Sequence, residues 1–284
     1  MSAVAAADRA GEALAAAIDA LAAAGVESPR LDAELLLSDA SGIDRTRLIA
    51  DPDCGIEPGA ARAFGQMVRR RLRREPVAYI LGRRWFRDLE LLVDSRALIP
   101  RPETEQLVEV GVELGVARVL DVGTGSGAVA LALAAELPDA EVVATDSSPA
   151  ALDLAAENAA RLGLAGRVRF EPGTLPGDGT FDLLLANLPY VAEPEWGSLA
   201  PEIRDWEPCG ALLAGADGLD AIRSLLVELA ERAAQATPAA DVVGLEVGAG
   251  QAAMVEEMLI EAGYPNVEVR ADLAGIPRVV IGRR

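Results

Sequence analysis

The second half of the chain alternates between strand-like and helix-like segments, and this alternation restricts the possible folds strongly. Apolar strand patterns occupy 118–122, 141–145, 168–171, 181–186 and 242–247, and helical patterns occupy 128–136 and 150–162. Such alternation predicts an α/β domain whose parallel sheet is covered by helices on both faces. Two further strands, 267–271 and 278–281, are joined by a turn too short for a crossover helix, so we expect an antiparallel pair there.

The first part of the chain has a different pattern. Helical periodicity runs from Ala3 to about Arg74, interrupted by glycine and proline, and predicts a helical bundle over residues 1–75. Residues 85–93 and 97–99 have extended character, and we expect them to form a short hairpin within a linker over 76–102. Residues 103–284 would then be the α/β domain, and a length of 284 residues suits two domains.

A glycine-rich turn follows the first strand of the α/β pattern and opens a helix. It reads Asp121-Val122-Gly123-Thr124-Gly125-Ser126-Gly127. Glycine lets the backbone turn tightly and approach a ligand closely. Ala128 stands where a dinucleotide fingerprint requires its last glycine, which disfavours a pyrophosphate site. The turn is therefore interpreted as a ligand-binding loop.

Asp146 ends the second strand of the α/β pattern. A carboxylate at this point can accept hydrogen bonds from both hydroxyls of a ribose. A strand-end Asp can equally cap a helix, and a glycine loop can be only a turn. Together, in this strand and helix context, the two features predict a nucleoside site made of Gly123, Thr124, Gly125, Ser126, Gly127 and Asp146.

The fourth strand ends in Asn187-Leu188-Pro189-Tyr190. Ligands of open parallel sheets bind beyond the carboxyl ends of the strands. The Asn187 side-chain oxygen and the Leu188 carbonyl can accept both N–H bonds of a planar amide or amine, while Pro189 stiffens the turn and the Tyr190 ring can pack on the plane. A turn with a satisfied Asn and a core Tyr is the alternative. We predict Asn187, Pro189 and Tyr190 to be catalytic and all four residues to bind substrate, with Asn187 also near the nucleoside.

The composition excludes several mechanisms. The chain has no histidine, and all 26 of its basic residues are arginine. Catalysis by a histidine base, a Ser-His-Asp triad, a histidine metal site or a lysine Schiff base is therefore excluded. The two cysteines, Cys54 and Cys209, are far apart in sequence and predict neither a disulfide framework nor a metal site.

The charge indicates which partners suit the chain. A formal net charge of −19 repels polyanions, so direct binding to nucleic acid is not expected, whereas a protein or a small molecule fits. The alanine-rich start over 3–25 is interrupted by charged residues at helical intervals and predicts an amphipathic helix, not a signal peptide. No uncharged stretch approaches the roughly 20 residues of a membrane span. We expect a cytoplasmic monomer with no membrane association.

These motifs resemble those of class I S-adenosylmethionine-dependent methyltransferases, and more narrowly the HemK/PrmC family of protein-(glutamine-N5) methyltransferases. The resemblance covers essentially the whole chain. Beyond the glycine loop, it includes the segments 76–82, 98–105, 193–196, 213–219 and 272–278. It implies a Rossmann-like methyltransferase sheet with an antiparallel last strand, an N-terminal helical domain that recognises the substrate, S-adenosylmethionine as cofactor, and peptide chain release factors as partners.

The resemblance also implies the roles of individual residues. It assigns the cofactor to Gly123–Gly127 and Asp146, and the acceptor glutamine to Asn187–Tyr190. It also places Arg101, Glu103 and Glu105 near the acceptor. The chain departs from the family at Leu188, where Asn-Pro-Pro-Tyr is usual; Asn-Leu-Pro-Tyr is familiar from ribosomal RNA adenine dimethyltransferases. It departs again at Thr174, where relatives commonly carry an Asp near the adenine.

Two other functions remain open at this point. One is an RNA or DNA adenine N6-methyltransferase, which shares the chemistry of a planar amine. The other is a catalytically inactive nucleoside-binding module. The arginines over 69–74 are interpreted as a solvated helix face, with contact to an acidic partner or to RNA as the alternative.

Overall fold

The computed structural model describes residues 8–177, 179–235 and 238–284. This part of the chain divides into two compact units: one runs to Gly82 and also includes Ala200–Trp206, and the other comprises Arg83–Leu199 and Glu207–Arg284. We call them the helical unit and the sheet unit. No helix in the described ranges has both the length and the apolar character needed to cross a membrane.

The helical unit is a bundle built on small and aliphatic side chains. Its helices are α1 Ala10–Ala23, α2 Pro29–Ser41, α3 Arg45–Ala50, α4 Pro58–Arg71 and α5 Val77–Leu81. The core between them contains Leu21, Leu36, Leu37 and Phe64, all fully buried. Proline at the first helical position starts α2 and α4, where its missing N–H costs nothing. The predicted helix over 3–25 begins at Ala10, and its first residues, 3–7, lie outside the described ranges.

The interpretation of 69–74 as a solvated helix face is wrong in part, because Arg71 is buried and Arg74 is partly buried, each in an ion pair. Arg71 is only 6% exposed, and it donates to Asp32 at 2.7 Å and pairs with Glu202 at 2.7 Å. Arg74 donates to both carboxylate oxygens of Glu202 at 2.7 Å. Burial opposes ionisation of Glu202, but hydrogen bonds from the two arginines lower its pKa to about 2. These pairs hold the segment Ala200–Trp206 within the helical unit.

The sheet unit begins with a two-stranded hairpin of β1 Arg83–Phe86 and β2 Leu89–Leu92. The predicted pairing of 85–93 with 97–99 is wrong: both strands lie before residue 93, and 97–99 is not a strand. Arg87, with φ of 48°, takes the left-handed conformation that the tight turn requires. An Arg-Asp pair is not a usual hairpin signal, so the sequence did not reveal the turn.

The main sheet has seven strands in the order β5-β4-β3-β6-β7-β9-β8. The strands are β3 Arg118–Val122, β4 Glu141–Asp146, β5 Val168–Pro172, β6 Phe181–Ala186, β7 Ala240–Glu246, β8 Asn266–Ala271 and β9 Pro277–Arg283. Strands β3 to β7 pair in parallel, whereas β9 is antiparallel to both β7 and β8. The predicted parallel sheet with an antiparallel last strand is confirmed.

Helices cover both faces of this sheet. They are α6 Glu105–Leu114, α7 Ala128–Glu136, α8 Pro149–Arg161, α10 Asp220–Ala234 and α11 Ala252–Glu261, while the short α9 Pro201–Arg204 belongs to the helical unit. One face packs on α6, α7 and α8, and the other packs on α10 and α11. The apolar strands are buried on both sides, as parallel strands between two helical layers must be.

Candidate active site

The register of three neighbouring strands brings the predicted site residues together. Val122, the last residue of β3, is paired with Thr145 of β4 on one side and with Ala186 of β6 on the other. The loops that follow these strands therefore begin side by side at the carboxyl edge of the sheet. They line a cavity of about 300 Å³ within the sheet unit, together with residues of the 96–104 and 208–211 segments.

The glycine loop after β3 has the conformation that its sequence predicts. Gly123 and Gly125 have φ of 73° and 57°, values that disfavour side chains. The amides of Gly123 and Thr124 both donate to the Thr145 carbonyl, at 2.8 and 2.9 Å. Residues 123–126 line the cavity, so four of the five predicted loop residues face it.

Gly127 does not line the cavity. It has φ of 85°, and a Cβ placed on it would lie 3.0 Å from Leu131 and 3.2 Å from Ala155. The glycine therefore allows α7 to pack closely against α8. In this structure, residue 127 must be glycine because the two helices pack closely there.

Asp121 anchors the loop from below. Its carboxylate accepts from the Thr124 hydroxyl at 2.6 Å and from the Ala130 amide at 3.1 Å. Burial raises the pKa of Asp121 to about 6, against the lowering effect of these two hydrogen bonds. The folded chain therefore disfavours the ionised carboxylate relative to the unfolded chain.

We expect Asp121→Asn to remove part of the pH dependence of stability. The unfolded carboxyl ionises near 3.8 and the folded one near 6, so the wild type loses stability as pH rises through this interval. By pH 8 the loss reaches about 3 kcal/mol, and roughly half of it falls between pH 5 and pH 8. Urea unfolding of both proteins at these two pH values measures it. Equal changes in the free energy of unfolding would contradict the assignment.

Asp146 lies at the mouth of the glycine loop and lines the cavity. One carboxylate oxygen accepts from the Gly125 amide at 2.9 Å, and the other accepts from the Ser148 amide at 2.8 Å. Each carboxylate oxygen has a second acceptor position. Asp146 therefore holds the loop and retains acceptor capacity towards the cavity. The cap of α8 is Ser148, whose hydroxyl accepts from Ala151, so Asp146 is not the helix cap.

The turn after β6 places Asn187, Leu188 and Pro189 on the cavity. The Asn187 side-chain amide donates to the Thr104 hydroxyl at 3.0 Å. Within the described ranges, neither the side-chain oxygen of Asn187 nor the main-chain carbonyl of Leu188 accepts a hydrogen bond from the protein. A Cβ on Gly123 would lie 3.0 Å from the Leu188 side chain, so the two loops touch at a glycine. The two predicted acceptors and the predicted nucleoside loop thus share one cavity.

Tyr190, the last residue of the predicted segment, is half-buried beside the cavity and does not line it. Its carbonyl accepts from the Gln251 side chain at 3.0 Å, and its ring lies 3.2 Å from the position of a Cβ on Gly248. Burial raises the pKa of Tyr190 to about 12, so the phenol stays neutral. In this structure Tyr190 anchors the turn.

Several polar residues at this edge were not found from the sequence as candidates in their own right. Thr104 lies in the 3-10 turn Pro102–Thr104 before α6. Glu207 is buried and binds the Ile99 amide at 3.0 Å and the Arg101 guanidinium. Glu246 ends β7 and is 2% exposed. Of the three, Glu246 had a usable signal, because it is a charged residue at the end of an apolar strand, as Asp146 is.

Thr174, where the sequence leaves adenine contacts in doubt, does not lie on the cavity. The Thr174 carbonyl accepts from the Thr145 hydroxyl at 2.7 Å, and Thr174 is not part of the lining. The described ranges contain no cluster of three acidic or cysteine side chains able to hold a metal ion.

Two protein-family models match the chain. Residues 12–82 match the PrmC N-terminal domain, and residues 119–206 match a methyltransferase domain. Curated relatives are similar over nearly their whole length. A release factor glutamine methyltransferase of Cereibacter sphaeroides is 43% identical, over 97% of this chain and 98% of the relative. One of Geobacter sulfurreducens is 41% identical, over 93% and 92%.

Solved structures share the fold at low sequence identity. The hMettl16 catalytic domain in complex with a 3'UTR hairpin has a TM-score of 0.58 at 16% identity, over 73% of this chain and 81% of that one. The N-terminal domain of human METTL16 in complex with SAH has a TM-score of 0.50 at 16% identity, over 69% and 75%. These likenesses concern the fold alone.

Proposed function

Since the chain belongs to the family of release factor glutamine methyltransferases, it is an enzyme that methylates the side-chain amide of a glutamine in release factors, and we propose that its cavity is where the transfer takes place. One observation carries this proposal. The unoccupied acceptor oxygen of Asn187 and the glycine loop of Gly123 face the same cavity. A methyl donor and an amide acceptor can therefore meet there.

We propose S-adenosylmethionine as the methyl donor. The residues fit such a ligand: the backbone at Gly123 and Gly125 leaves room for close approach, and Asp146 supplies a carboxylate for the ribose hydroxyls. Thr124 and Ser126 complete the loop, and Asn187 adjoins it. When bound, the cofactor supplies an electrophilic methyl group. A structural neighbour described as a complex with SAH supports a related ligand in this fold.

The acceptor amide would bind at the turn after β6. The Asn187 side-chain oxygen and the Leu188 carbonyl accept the two N–H bonds of the glutamine amide, and Pro189 limits the motion of the turn. An amide nitrogen is a weak nucleophile because its lone pair is delocalised into the carbonyl. Two fixed acceptors orient the nitrogen for in-line attack, and exclusion of water strengthens both hydrogen bonds.

No strong base is required by this arrangement. The bound donor would supply the methyl group, its S–C bond giving way to a new N–C bond, and the acceptor nitrogen would then release a proton. A hydrogen bond to the Asn187 oxygen stabilises the positive charge that develops on the nitrogen before the proton reaches solvent. The scheme suits a chain that contains no histidine and no lysine.

Glutamine is favoured over adenine as the acceptor. Family membership supports the protein substrate, and a net charge of −19 opposes a polyanion. We further propose that the helical unit recognises the release factor and that the enzyme works as a cytoplasmic monomer. The three-part division into 1–75, 76–102 and 103–284 stays part of this proposal.

A methyl-transfer assay tests the proposed function. The purified chain is incubated with methyl-labelled S-adenosylmethionine and, in parallel, with a release factor, the same release factor with its acceptor Gln changed to Asn, or ribosomal RNA. We expect label only in the unaltered release factor. Label in RNA alone would overturn the assignment, and binding of cofactor without any transfer would indicate an inactive module.

We expect Leu188→Pro to preserve or modestly raise glutamine methylation. Within the described ranges the Leu188 amide donates no hydrogen bond to the protein, so proline removes none, and it keeps the carbonyl acceptor while fixing φ near −65°. The opposing effect is lost packing of the Leu188 side chain on Gly123. Steady-state kcat on a release factor measures the balance. A loss of tenfold or more would mean that the leucine side chain itself shapes the acceptor site.

A further inference from the structure

A buried acid lies behind the reactive turn with part of its hydrogen-bonding capacity unused. Glu246 is 2% exposed, and its Oε2 atom has no hydrogen-bond partner within the described ranges. The Thr104 hydroxyl lies beside this carboxyl group and lowers its pKa. The same hydroxyl accepts the Asn187 amide at 3.0 Å. Glu246, Thr104 and Asn187 therefore lie in a row that ends at the cavity, with a hydrogen bond between the last two.

When Glu246 is ionised, the donors and acceptors of Glu246, Thr104 and Asn187 have only one consistent arrangement. A carboxylate can only accept hydrogen bonds, so its negative charge beside Thr104 draws the single proton of that hydroxyl towards Glu246. The hydroxyl then has only lone pairs to offer Asn187, and the Asn187 side chain must turn its NH₂ group towards Thr104. Its oxygen is left facing the cavity, where the acceptor amide needs it.

We propose that Thr104 and Glu246 are positioning residues that fix which way the Asn187 carboxamide points. This inference rests on the proposed function, since it assumes that the Asn187 oxygen receives an N–H of the acceptor. The two ends of an asparagine carboxamide have nearly the same shape, so packing alone discriminates them weakly. A reversed carboxamide would present a donor to the substrate N–H and could not orient it.

The charges around Glu246 make this device sensitive to pH. Burial is the largest cause that raises the pKa of Glu246, to about 7. Glu103 raises it further, whereas the Thr104 hydroxyl and the charges of Arg278 and Arg101 lower it. The charge of Glu246 in turn helps to raise the pKa of Tyr190, whose phenol is neutral. A protonated Glu246 can itself donate to Thr104, which frees the hydroxyl proton for the Asn187 oxygen and allows the reversed orientation.

Two substitutions at Thr104 separate positioning from packing. Thr104→Val keeps the shape without the hydroxyl, and Thr104→Ser keeps the hydroxyl without the methyl group. We expect the valine variant to lose on the order of tenfold to a hundredfold in kcat, with the Kd for S-adenosylmethionine unchanged, and the serine variant to recover most of the rate. A valine variant with wild-type kcat, or a serine variant as slow as valine, would overturn the inference.

A second readout does not depend on the folding of a Thr104 variant. Glu246→Gln still offers an oxygen to the hydroxyl but cannot ionise. We expect the ratio of wild-type kcat to Glu246→Gln kcat to rise between pH 6 and pH 8, as Glu246 ionises. Because Asp121 titrates in both proteins, the ratio cancels its effect. A ratio that stays constant over this range would overturn the link between ionisation and orientation.

Asn187→Ala, measured in the same assay, distinguishes failure of this inference from failure of the proposed function. If Asn187→Ala keeps its rate, the acceptor site is misassigned and the inference falls with it. If Asn187→Ala is inactive while Thr104→Val and Glu246→Gln behave as wild type, only the positioning role is overturned.

Discussion

Asn187→Ala should lower kcat for glutamine methylation by on the order of a hundredfold or more while the protein stays folded. The substitution removes the oxygen that we propose to orient the reacting nitrogen. The side chain is only partly buried, and its one hydrogen bond within the described ranges goes to Thr104, so little of the core is disturbed. Single-turnover transfer of labelled methyl groups to a release factor measures the chemical step directly.

Leu188→Ala is the matched control for this experiment. It alters the neighbouring residue of the same turn, but it leaves both proposed acceptors in place, namely the Asn187 oxygen and the main-chain carbonyl of residue 188. We therefore expect it to retain far more activity than Asn187→Ala. A near-normal single-turnover rate in a folded Asn187→Ala protein would mean that the segment is only a turn, and equal losses in both variants would point to loop disorder.

Much of the fold could be predicted because the apolar pattern of the strands indicates that they are buried. The runs ending at Val122 and Ala186 are mostly apolar, which is typical of strands covered on both faces. The polar residues that interrupt the pattern, Asp146 and Asn187, then stand at strand ends. Once the strands are parallel neighbours, those ends must lie at one edge, so the site follows from local pattern and topology together.

The sequence could not show which residues support the site from a distance. Thr104 lies between two acidic residues at a helix start, where a hydroxyl is usually explained by capping. Glu207 follows Trp206 in a segment without strand or helix signal, yet it binds the Ile99 amide far away in sequence. Such contacts are set by the tertiary fold and have no local periodicity from which to infer them.

Arg71, in the helical unit, shows the same limit of prediction from local sequence. A run of arginines on an amphipathic helix normally faces water, and nothing nearby in sequence marks one of them as buried. Its partners, Asp32 and Glu202, come from an earlier helix and from a segment more than a hundred residues later. Only the folded chain identifies the buried member, because burial of a charge requires partners that local sequence does not specify.

The second large effect concerns Asp146. We expect Asp146→Ala to weaken binding of S-adenosylmethionine by about one to two orders of magnitude for each ribose hydrogen bond lost, since a charge-assisted bond contributes roughly 1.5 to 3 kcal/mol. Calorimetry measures the Kd. The carboxylate also holds the Gly125 and Ser148 amides, so a bare loss of affinity would not separate ribose contact from loop distortion.

A ligand analogue makes that separation. Wild type should bind S-adenosylhomocysteine more tightly than its 2′-deoxy and 3′-deoxy analogues. Each analogue lacks a ribose hydroxyl that would donate a hydrogen bond to the Asp146 carboxylate. In Asp146→Ala the ribose hydroxyls have no carboxylate to which they can donate. All affinities should fall, and the preference for S-adenosylhomocysteine over at least one deoxy analogue should disappear. If the variant discriminates among these ligands as strongly as wild type, Asp146 acts only on the loop. A direct ribose contact requires the affinity loss and the loss of discrimination to occur together, since loop distortion alone would weaken every ligand by the same factor.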